Sequence, residues 1–176
     1  MDLRYPIGRF TRPVDVTGAE RARYIEAVAG APAALREAVR GLDDAQLDTP
    51  YRPDGWTVRQ VIHHLPDSHL NAYVRFKLAL TEVEPTIKPY DEKAWAQLPD
   101  GRSPLVAESL TLLDALHARW VYMLRAMNAG DFARTLMHPE RPDAPMTLDV
   151  MLALYAWHGR HHAAQVTALR DRMKWD

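Results

Sequence analysis

The sequence predicts an all-α protein, a four-helix bundle with long connections between its helices. Four segments carry apolar residues at helical spacing, and the thirteen prolines fall mostly between them. With 47% hydrophobic residues over 176 positions, the chain can bury a substantial core. No internal repeat or low-complexity segment divides it, so a single domain over residues 1–176 is expected. Two long connections mean that the helices need not alternate up and down.

The first predicted helix follows an extended lead-in and runs from about Thr17 to Leu42. Thr17 can cap it, because Glu20 three residues later completes a capping box. Pro32 lies inside this segment and predicts a kink, or a break into two helices, near Gly30.

The second predicted helix begins at the N-cap Thr57, with Gln60 at the capping-box position, and reaches about Leu80. Residues 81–102 contain several prolines and are predicted to form a loop. Within that loop, one short turn is expected at Asp91–Gln97.

The third and fourth predicted helices are marked by their starts. The third opens at Ser103, a capping residue followed by proline at the first helical position, and Asn128–Gly130 end it. Residues 132–146 are predicted to form a loop with a small hairpin. Thr147 then caps the fourth helix, which runs to about Arg172.

Composition excludes several classes of function. The net charge of −1 gives no electrostatic reason to bind nucleic acid or an anionic membrane. The chain has no cysteine, so any metal ligands must come from His, Asp, Glu or water. No apolar run approaches the roughly 20 residues that span a bilayer, and the first ten residues do not resemble a secretory signal. A soluble cytoplasmic protein is expected.

The fourth helix contains YAWHGRHHAAQ over residues 155–165, with three histidines in five positions. His158 and His162 are four apart and fall within the apolar stripe, so both can bind one ion. His161 lies at the edge of the stripe. The alternative is a pair of core histidines with satisfied hydrogen bonds, although two packed imidazoles are awkward without a proton or an ion between them.

A third ligand is needed, and the segment HHLPDSH on the second helix offers candidates. Helical periodicity alone favours His69, which falls in the apolar stripe, over His64, which lies off it. Pro66 can change the local phase of the helix and so weakens this choice. His117 and His138 are further candidates, for which a purely structural role is expected.

Several longer stretches are similar to one known family. The chain resembles the DinB/YfiT-like family of metal-dependent enzymes, and its YfiT branch closely, over nearly its whole length. The matching stretches are LRYPIGRF (3–10), the segment 47–82, KPYDEKAWAQL (88–98), LLDALHARW (112–120), HPE (138–140) and the segment 152–175. The resemblance implies a four-helix bundle of atypical connectivity and often a homodimer.

The resemblance also implies the ligand set. The family pattern has one histidine eight residues after the tryptophan that opens the second helix, and two more, four apart, on the last helix. In this chain these are His64, His158 and His162. The family pattern therefore favours His64 over the His69 that periodicity selects. Pro66 stands where YfiT-like chains usually carry alanine.

Three neutral imidazoles on one divalent ion leave positions open for water or substrate, as in catalytic sites. Zinc is the expected ion, with nickel, iron or manganese as alternatives, since imidazole suits several of them. The resemblance implies a thiol S-transferase of the bacillithiol type, which joins a small thiol to an electrophile. The thiol must be external, because the chain has no cysteine. Arg75 and Arg160 are the predicted partners of its carboxylates.

Two alternatives remain open at this stage. A hydrolase would use a metal-activated water, with Asp67, one turn from His64, as candidate general base. A sensor would bind the metal without turnover. The chemistry common to the two enzymatic hypotheses is a nucleophile activated by the metal.

Overall fold

The computed structural model describes residues 2–175, so the predicted domain of 1–176 extends one residue beyond it at each end. Four long helices form a bundle, as predicted, and a two-stranded hairpin is added to it. In chain order the elements are α1 (Gly18–Val39), α2 (Asp44–Leu47), α3 (Val58–Thr81), α4 (Glu92–Trp95), a 3-10 turn (Asp100–Arg102), α5 (Val106–Ala126), α6 (Ala129–Phe132), β1 (Thr135–His138), β2 (Arg141–Thr147) and α7 (Leu148–Met173).

Side-chain caps fix the starts of three long helices where the sequence predicts them. Thr17 and Thr57 each form a complete capping box with the residue three positions later. The Thr147 side chain accepts a hydrogen bond from the Val150 N–H. The third long helix, α5, was predicted to open at Ser103, and this is wrong: it begins at Val106, and Leu105 before it provides no side-chain cap. The Ser103 hydroxyl instead accepts from the Leu105 N–H and closes a turn just before the helix.

Pro32 does not break α1, so the predicted division near Gly30 is wrong. A proline inside a helix leaves the carbonyl four residues earlier without its helical donor. Here that carbonyl belongs to Val28, and it accepts a hydrogen bond of 2.7 Å from Nδ1 of His117 on α5. The neighbouring helix replaces the missing bond, and α1 continues to Val39.

α1 and α7 run parallel, although they are the first and last helices of the chain. Near their starts, Arg21 and Asp149 form an ion pair with an N–O distance of 2.7 Å. Near their ends, the Arg170 guanidinium donates to the Ala38 carbonyl at 3.1 Å.

α3 and α5 are also parallel to each other. His63 contacts Ser109 near their starts, and His69 contacts His117 about two turns further along both helices.

α5 is antiparallel to α1, because Arg36 pairs with Asp114 while Glu26 pairs with Arg125. The four long helices therefore run up, down, down and up. The segment 82–105 has to cross the length of the bundle between α3 and α5, which is the atypical connectivity that the resemblance implies.

The buried core is divided into two apolar clusters. One includes Val28, Phe76, Trp120 and Leu152, and the other includes Leu35, Ile62, Leu113 and Val166. On every long helix a few residues separate the clusters. These residues form a central layer that contains Ala31, Pro32, His69, His117, His158, Gly159 and His162.

The segments between the long helices contain the predicted short turn and the predicted hairpin. α4 follows its N-cap Asp91 within the expected turn. β1 and β2 pair antiparallel as the expected hairpin, with Thr135 opposite Thr147. Within residues 2–175, every helix is too short or too polar to cross a membrane.

Candidate metal centre

The three histidines predicted as ligands lie together between α3 and α7. One ring nitrogen from each of His64, His158 and His162 lies within 4.8 Å of the others, and we call this group the trio. His64 and His162 are buried, whereas His158 is partly exposed. The trio therefore has the spacing that a shared ion requires, and metal binding by it remains a prediction.

A glycine beside His158 allows the helices to approach closely at this level. A Cβ at Gly159 would lie 2.7 Å from Cβ of Ala31 on α1 and 3.7 Å from Cε1 of His69. A real Cβ essentially never sits that close to another carbon. Gly159 therefore sets the spacing of α1 and α7 where the trio forms.

His64 reaches the trio from α3 and packs on Trp56, with 4.5 Å between the ring centroids. His69, which periodicity favours, is fully buried. Its Nε2 lies 3.0 Å from Nδ1 of His158 and its Nδ1 lies 2.8 Å from Nε2 of His117. The apolar stripe of α3 faces the fully buried interior, whereas the trio lies nearer the surface. Periodicity therefore identified a neighbour of the trio rather than a member.

The protonation of His162 follows from its neighbour Gln165. The Gln165 amide N–H donates to the Arg4 carbonyl at 3.1 Å, so the amide oxygen must be the atom 2.9 Å from Nδ1 of His162. An amide oxygen only accepts, so Nδ1 carries the proton. The lone pair of Nε2 is then free and faces His158, which is the state a metal ligand needs.

Burial keeps the trio uncharged at neutral pH. It lowers the pKa of His64 to about 4 and lowers the pKa values of His158 and His162 well below the ordinary 6.5. A protonated imidazole cannot bind a cation, whereas a neutral one offers a lone pair. The trio is therefore ready to bind a cation without first losing protons.

His161 lies beside the trio, at the edge of the stripe as predicted. Its ring stacks on Trp157 with 4.3 Å between centroids, and its Nε2 accepts a hydrogen bond from the Gln165 amide at 3.0 Å. The Tyr5 ring of the N-terminal segment lies 5.7 Å away. His161 thus belongs to the wall that joins α7 to the lead-in.

Two other histidines have structural partners of their own. Nε2 of His63 donates to the Ser103 carbonyl at 2.8 Å, and its Nδ1 accepts from the Ser109 hydroxyl at 2.7 Å. This side chain ties the crossover segment to α3. His138 lies on β1, where its Nδ1 accepts from the Glu140 N–H.

Asp67, the predicted general base, is a half-buried carboxylate one turn beyond His64. Burial, reinforced by the nearby charge of Asp100, raises the pKa of Asp67 to about 6. A carboxyl group with this pKa can both accept and release a proton near neutral pH.

The two predicted arginines differ in their surroundings. Arg75 donates to the Lys88 carbonyl at 3.3 Å, and burial raises the pKa of the Tyr155 hydroxyl while the positive charge of Arg75 lowers it. The Tyr155 ring lies 5.5 Å from the His158 ring, so Arg75 is one residue removed from the trio. Arg160 is exposed, and its Nε donates to the Ala156 carbonyl one turn back on the same helix.

A hydroxyl cluster beside the trio was missed. Burial raises the pKa of Tyr90 to about 12 and raises that of Tyr155, while Ser68, which lies on α3 next to His69, lowers both pKa values. Helical spacing made Tyr155 look like an ordinary core residue, and Tyr90 lies in the crossover segment, where no periodicity exists. The matching stretch KPYDEKAWAQL was the available signal for Tyr90.

Comparison with known proteins identifies the class to which this fold and site belong. Residues 27–166 match the model of the DinB superfamily, and the chain belongs to that family.

Its relatives are similar over their full lengths. A Bacillus cereus B4264 protein named "putative metal-dependent hydrolase" is 52% identical over 99% of both chains, and one of the same name from Bacillus mycoides KBAB4 is 51% identical over 99% of both. The structure of Bacillus subtilis YfiT, described as "a probable metal-dependent hydrolase with an unusual four-helix bundle topology", superposes with a TM-score of 0.96 at 46% identity over both complete chains.

Proposed function

We propose that His64, His158 and His162 hold one divalent metal ion, with which the protein activates a small nucleophile. The observation that carries this proposal is the convergence of three ring nitrogens within 4.8 Å, in uncharged rings of which one is partly exposed. Relatives named as metal-dependent support it.

The residues present suit such an ion. Imidazole nitrogen is a ligand that zinc, nickel and iron all accept, and Gln165 already directs the lone pair of His162 into the site. When bound, the ion supplies Lewis acidity, which lowers the pKa of a coordinated thiol or water towards the physiological range. Zinc is the proposed ion, with nickel, iron or manganese as alternatives.

The first proposed reaction is transfer of a small external thiol, of the bacillithiol type, to an electrophile. Arg75 supports it, because the charge of this half-buried cation acts on Tyr155, the residue that packs on His158, and can pair with a thiol's carboxylate. The thiolate sulfur attacks the electrophilic carbon, a C–S bond forms and the bond to the leaving group breaks. The thiol proton passes to Asp67 or to solvent. Arg160, being exposed, would bind only the outer end of such a thiol.

The second candidate reaction is hydrolysis of a small substrate, which the names of the relatives favour. Asp67 would then take a proton from the attacking water and return it to the leaving group. Its pKa of about 6 suits both steps. The homodimer implied by the resemblance remains a proposal, and no residue of the trio requires a partner subunit.

Metal-loaded protein mixed with monochlorobimane and either bacillithiol, glutathione or cysteine separates the reactions. A transferase gives fluorescence that depends on both thiol and metal, with release of chloride. A hydrolase instead cleaves an activated ester without thiol. If the protein binds one equivalent of metal but shows turnover in neither assay, the result favours the metal-binding sensor.

Matched variants show which residues act. His158→Ala should lose the metal, measured by plasma mass spectrometry, whereas His138→Ala should retain it. For the transferase, Arg75→Gln should raise KM for bacillithiol but not for cysteamine, which has no carboxylate. One equivalent of metal retained by His158→Ala would refute the site.

A further inference from the structure

A line of hydrogen-bonded rings leads from the trio into the bundle. Nδ1 of His158 lies 3.0 Å from Nε2 of His69, and Nδ1 of His69 lies 2.8 Å from Nε2 of His117. Nδ1 of His117 lies 2.7 Å from the Val28 carbonyl oxygen. The line joins α7, α3, α5 and α1 across the central layer, and we call it the interior chain.

The Val28 carbonyl at the end of the interior chain fixes the direction of each hydrogen bond in it. A carbonyl oxygen only accepts, so Nδ1 of His117 must donate to Val28. In a neutral ring Nε2 of His117 then accepts, which requires Nδ1 of His69 to donate. By the same step, Nε2 of His69 accepts and Nδ1 of His158 donates. The proton of His158 is thereby placed on Nδ1, leaving Nε2 as a lone pair.

We propose that His69 and His117 are positioning residues that fix the tautomer and orientation of His158, with the carbonyl freed by Pro32 as their anchor. The inference rests on the metal site proposed above and names residues outside the trio. Their role would be to present one lone pair at a defined angle, without touching the ion or the substrate.

Within the described residues 2–175, the hydrogen-bond partner of Nδ1 of His158 is Nε2 of His69, and burial protects that bond. His69 is 0% exposed and His117 is 2% exposed, so solvent water does not compete for their nitrogens. Burial also lowers the pKa of His117 to about 4, which keeps one proton on that ring, and a second proton on the fully buried His69 ring would place a charge in the apolar interior. Each ring therefore has one donor and one acceptor, and both are used.

The anchor depends on a particular residue in α1. With any other residue at position 32, a backbone N–H would be available to the Val28 carbonyl. Pro32 has none, so the carbonyl remains a strong acceptor for His117. Pro32, which the sequence predicts to disrupt α1, thus leaves free the carbonyl that fixes the hydrogen-bond direction of the interior chain.

The interior chain and Gln165 together produce an arrangement of two lone pairs that needs a cation. Nε2 of His158 and Nε2 of His162 lie 3.2 Å apart, and both carry lone pairs once each Nδ1 holds its proton. Two acceptors cannot hydrogen-bond each other, and their mutual repulsion is relieved by a positive charge between them and His64. The two ligands of α7 are held in place before the ion arrives.

The tautomers can be read in the metal-free protein by long-range ¹H–¹⁵N correlation of the histidine rings at pH 7.5. We expect a protonated Nδ1 and an unprotonated Nε2 for His158, His69 and His117. A proton on Nε2 of His158 or of His69 overturns the proposal. This measurement needs no metal, so it tests the interior chain separately from the proposed function. If the protein shows these tautomers but binds no ion, the interior chain is upheld and the metal site is refuted.

Two substitutions of His69 separate positioning from packing. His69→Gln retains an acceptor for Nδ1 of His158, whereas His69→Phe retains volume and removes the acceptor. We expect His69→Phe to lose about 10- to 100-fold in affinity for Zn²⁺, measured by chelator competition, and to mix the His158 tautomers. His69→Gln should recover most of both, and His138→Phe should change neither. Equal losses in the Gln and Phe variants would show packing alone and overturn the proposal.

Discussion

The two α7 histidines of the trio are held by different means on its two sides. His158 is held from the interior by three groups on three other helices, ending at the Val28 carbonyl. His162 is held by Gln165 on its own helix, which is fixed by the Arg4 carbonyl of the N-terminal lead-in. The interior side depends on bundle packing, and the outer side depends on one helix turn and a surface segment. Both supports hold a proton on Nδ1 of a histidine. Water cannot replace the buried support of His158, but it can replace the Gln165 support of His162.

The largest effect should come from separating α1 and α7. Gly159→Ala places a methyl group 2.7 Å from Cβ of Ala31, and relief of that overlap pushes the helices apart. We expect a loss of about 1–3 kcal/mol in the free energy of unfolding, measured with urea on the metal-free protein. Gly30→Ala is the matched control: it lies on an exposed face of α1 with open space around it, and should stabilise by about 0.5–1 kcal/mol. Equal stabilities for the two variants would contradict the close approach.

The next effect tests the outer side. Gln165→Ala removes the acceptor for Nδ1 of His162, but the space it leaves lies beside the exposed Arg4 and can admit water. We expect Zn²⁺ affinity to fall by about 10-fold, the low end of the usual range for such partners, and by less than in His69→Phe. Thr167→Ala, an exposed neighbour on α7, should leave the affinity unchanged. A larger loss for Gln165→Ala than for His69→Phe would reverse the order of the two sides.

The difference between the two sides also explains what the sequence could predict. Thr17, Thr57 and Thr147 mark helix starts because capping is local chemistry, and His158 and His162 follow from a spacing of four. His64 could be chosen only through the family pattern, because the α3 stripe faces the fully buried interior and the trio lies nearer the surface. The interior chain depends on which helices are adjacent, which follows from the crossover and not from any local pattern. Pro32 was therefore predicted to kink or break α1, and the break does not occur because His117 replaces the missing bond.

A smaller effect, on pH dependence, is expected at Asp67. Its native pKa of about 6 lies above the ordinary 3.8, so the native protein binds the extra proton. The favourable contribution is complete below pH 3.8 and is lost as the pH rises through about 6. Asp67→Asn should therefore stabilise the metal-free protein at pH 8 relative to pH 4. We expect about 1 kcal/mol, since half of the side chain's surroundings are solvent, which screens the charge. Thermal unfolding at the two pH values measures it, and a stabilisation greater at pH 4 would contradict the raised pKa.

The smallest effect on the site should come from Pro32→Ala, which gives Val28 a second donor without removing any ring. The new N–H would compete with Nδ1 of His117 for the carbonyl, while the helix gains a better former. We expect unfolding stability to rise, the His117 ring proton to exchange faster with solvent, and Zn²⁺ affinity to fall about twofold, a small fraction of the loss when a whole partner is removed. Gly30→Ala stabilises the same helix without touching that carbonyl, so it should raise stability with no change in ring-proton exchange. If stability rises while Zn²⁺ affinity falls, the cause is loss of the anchor and not a general loosening of the protein. Slower ring-proton exchange in Pro32→Ala would show that the proline does not free the Val28 carbonyl for His117.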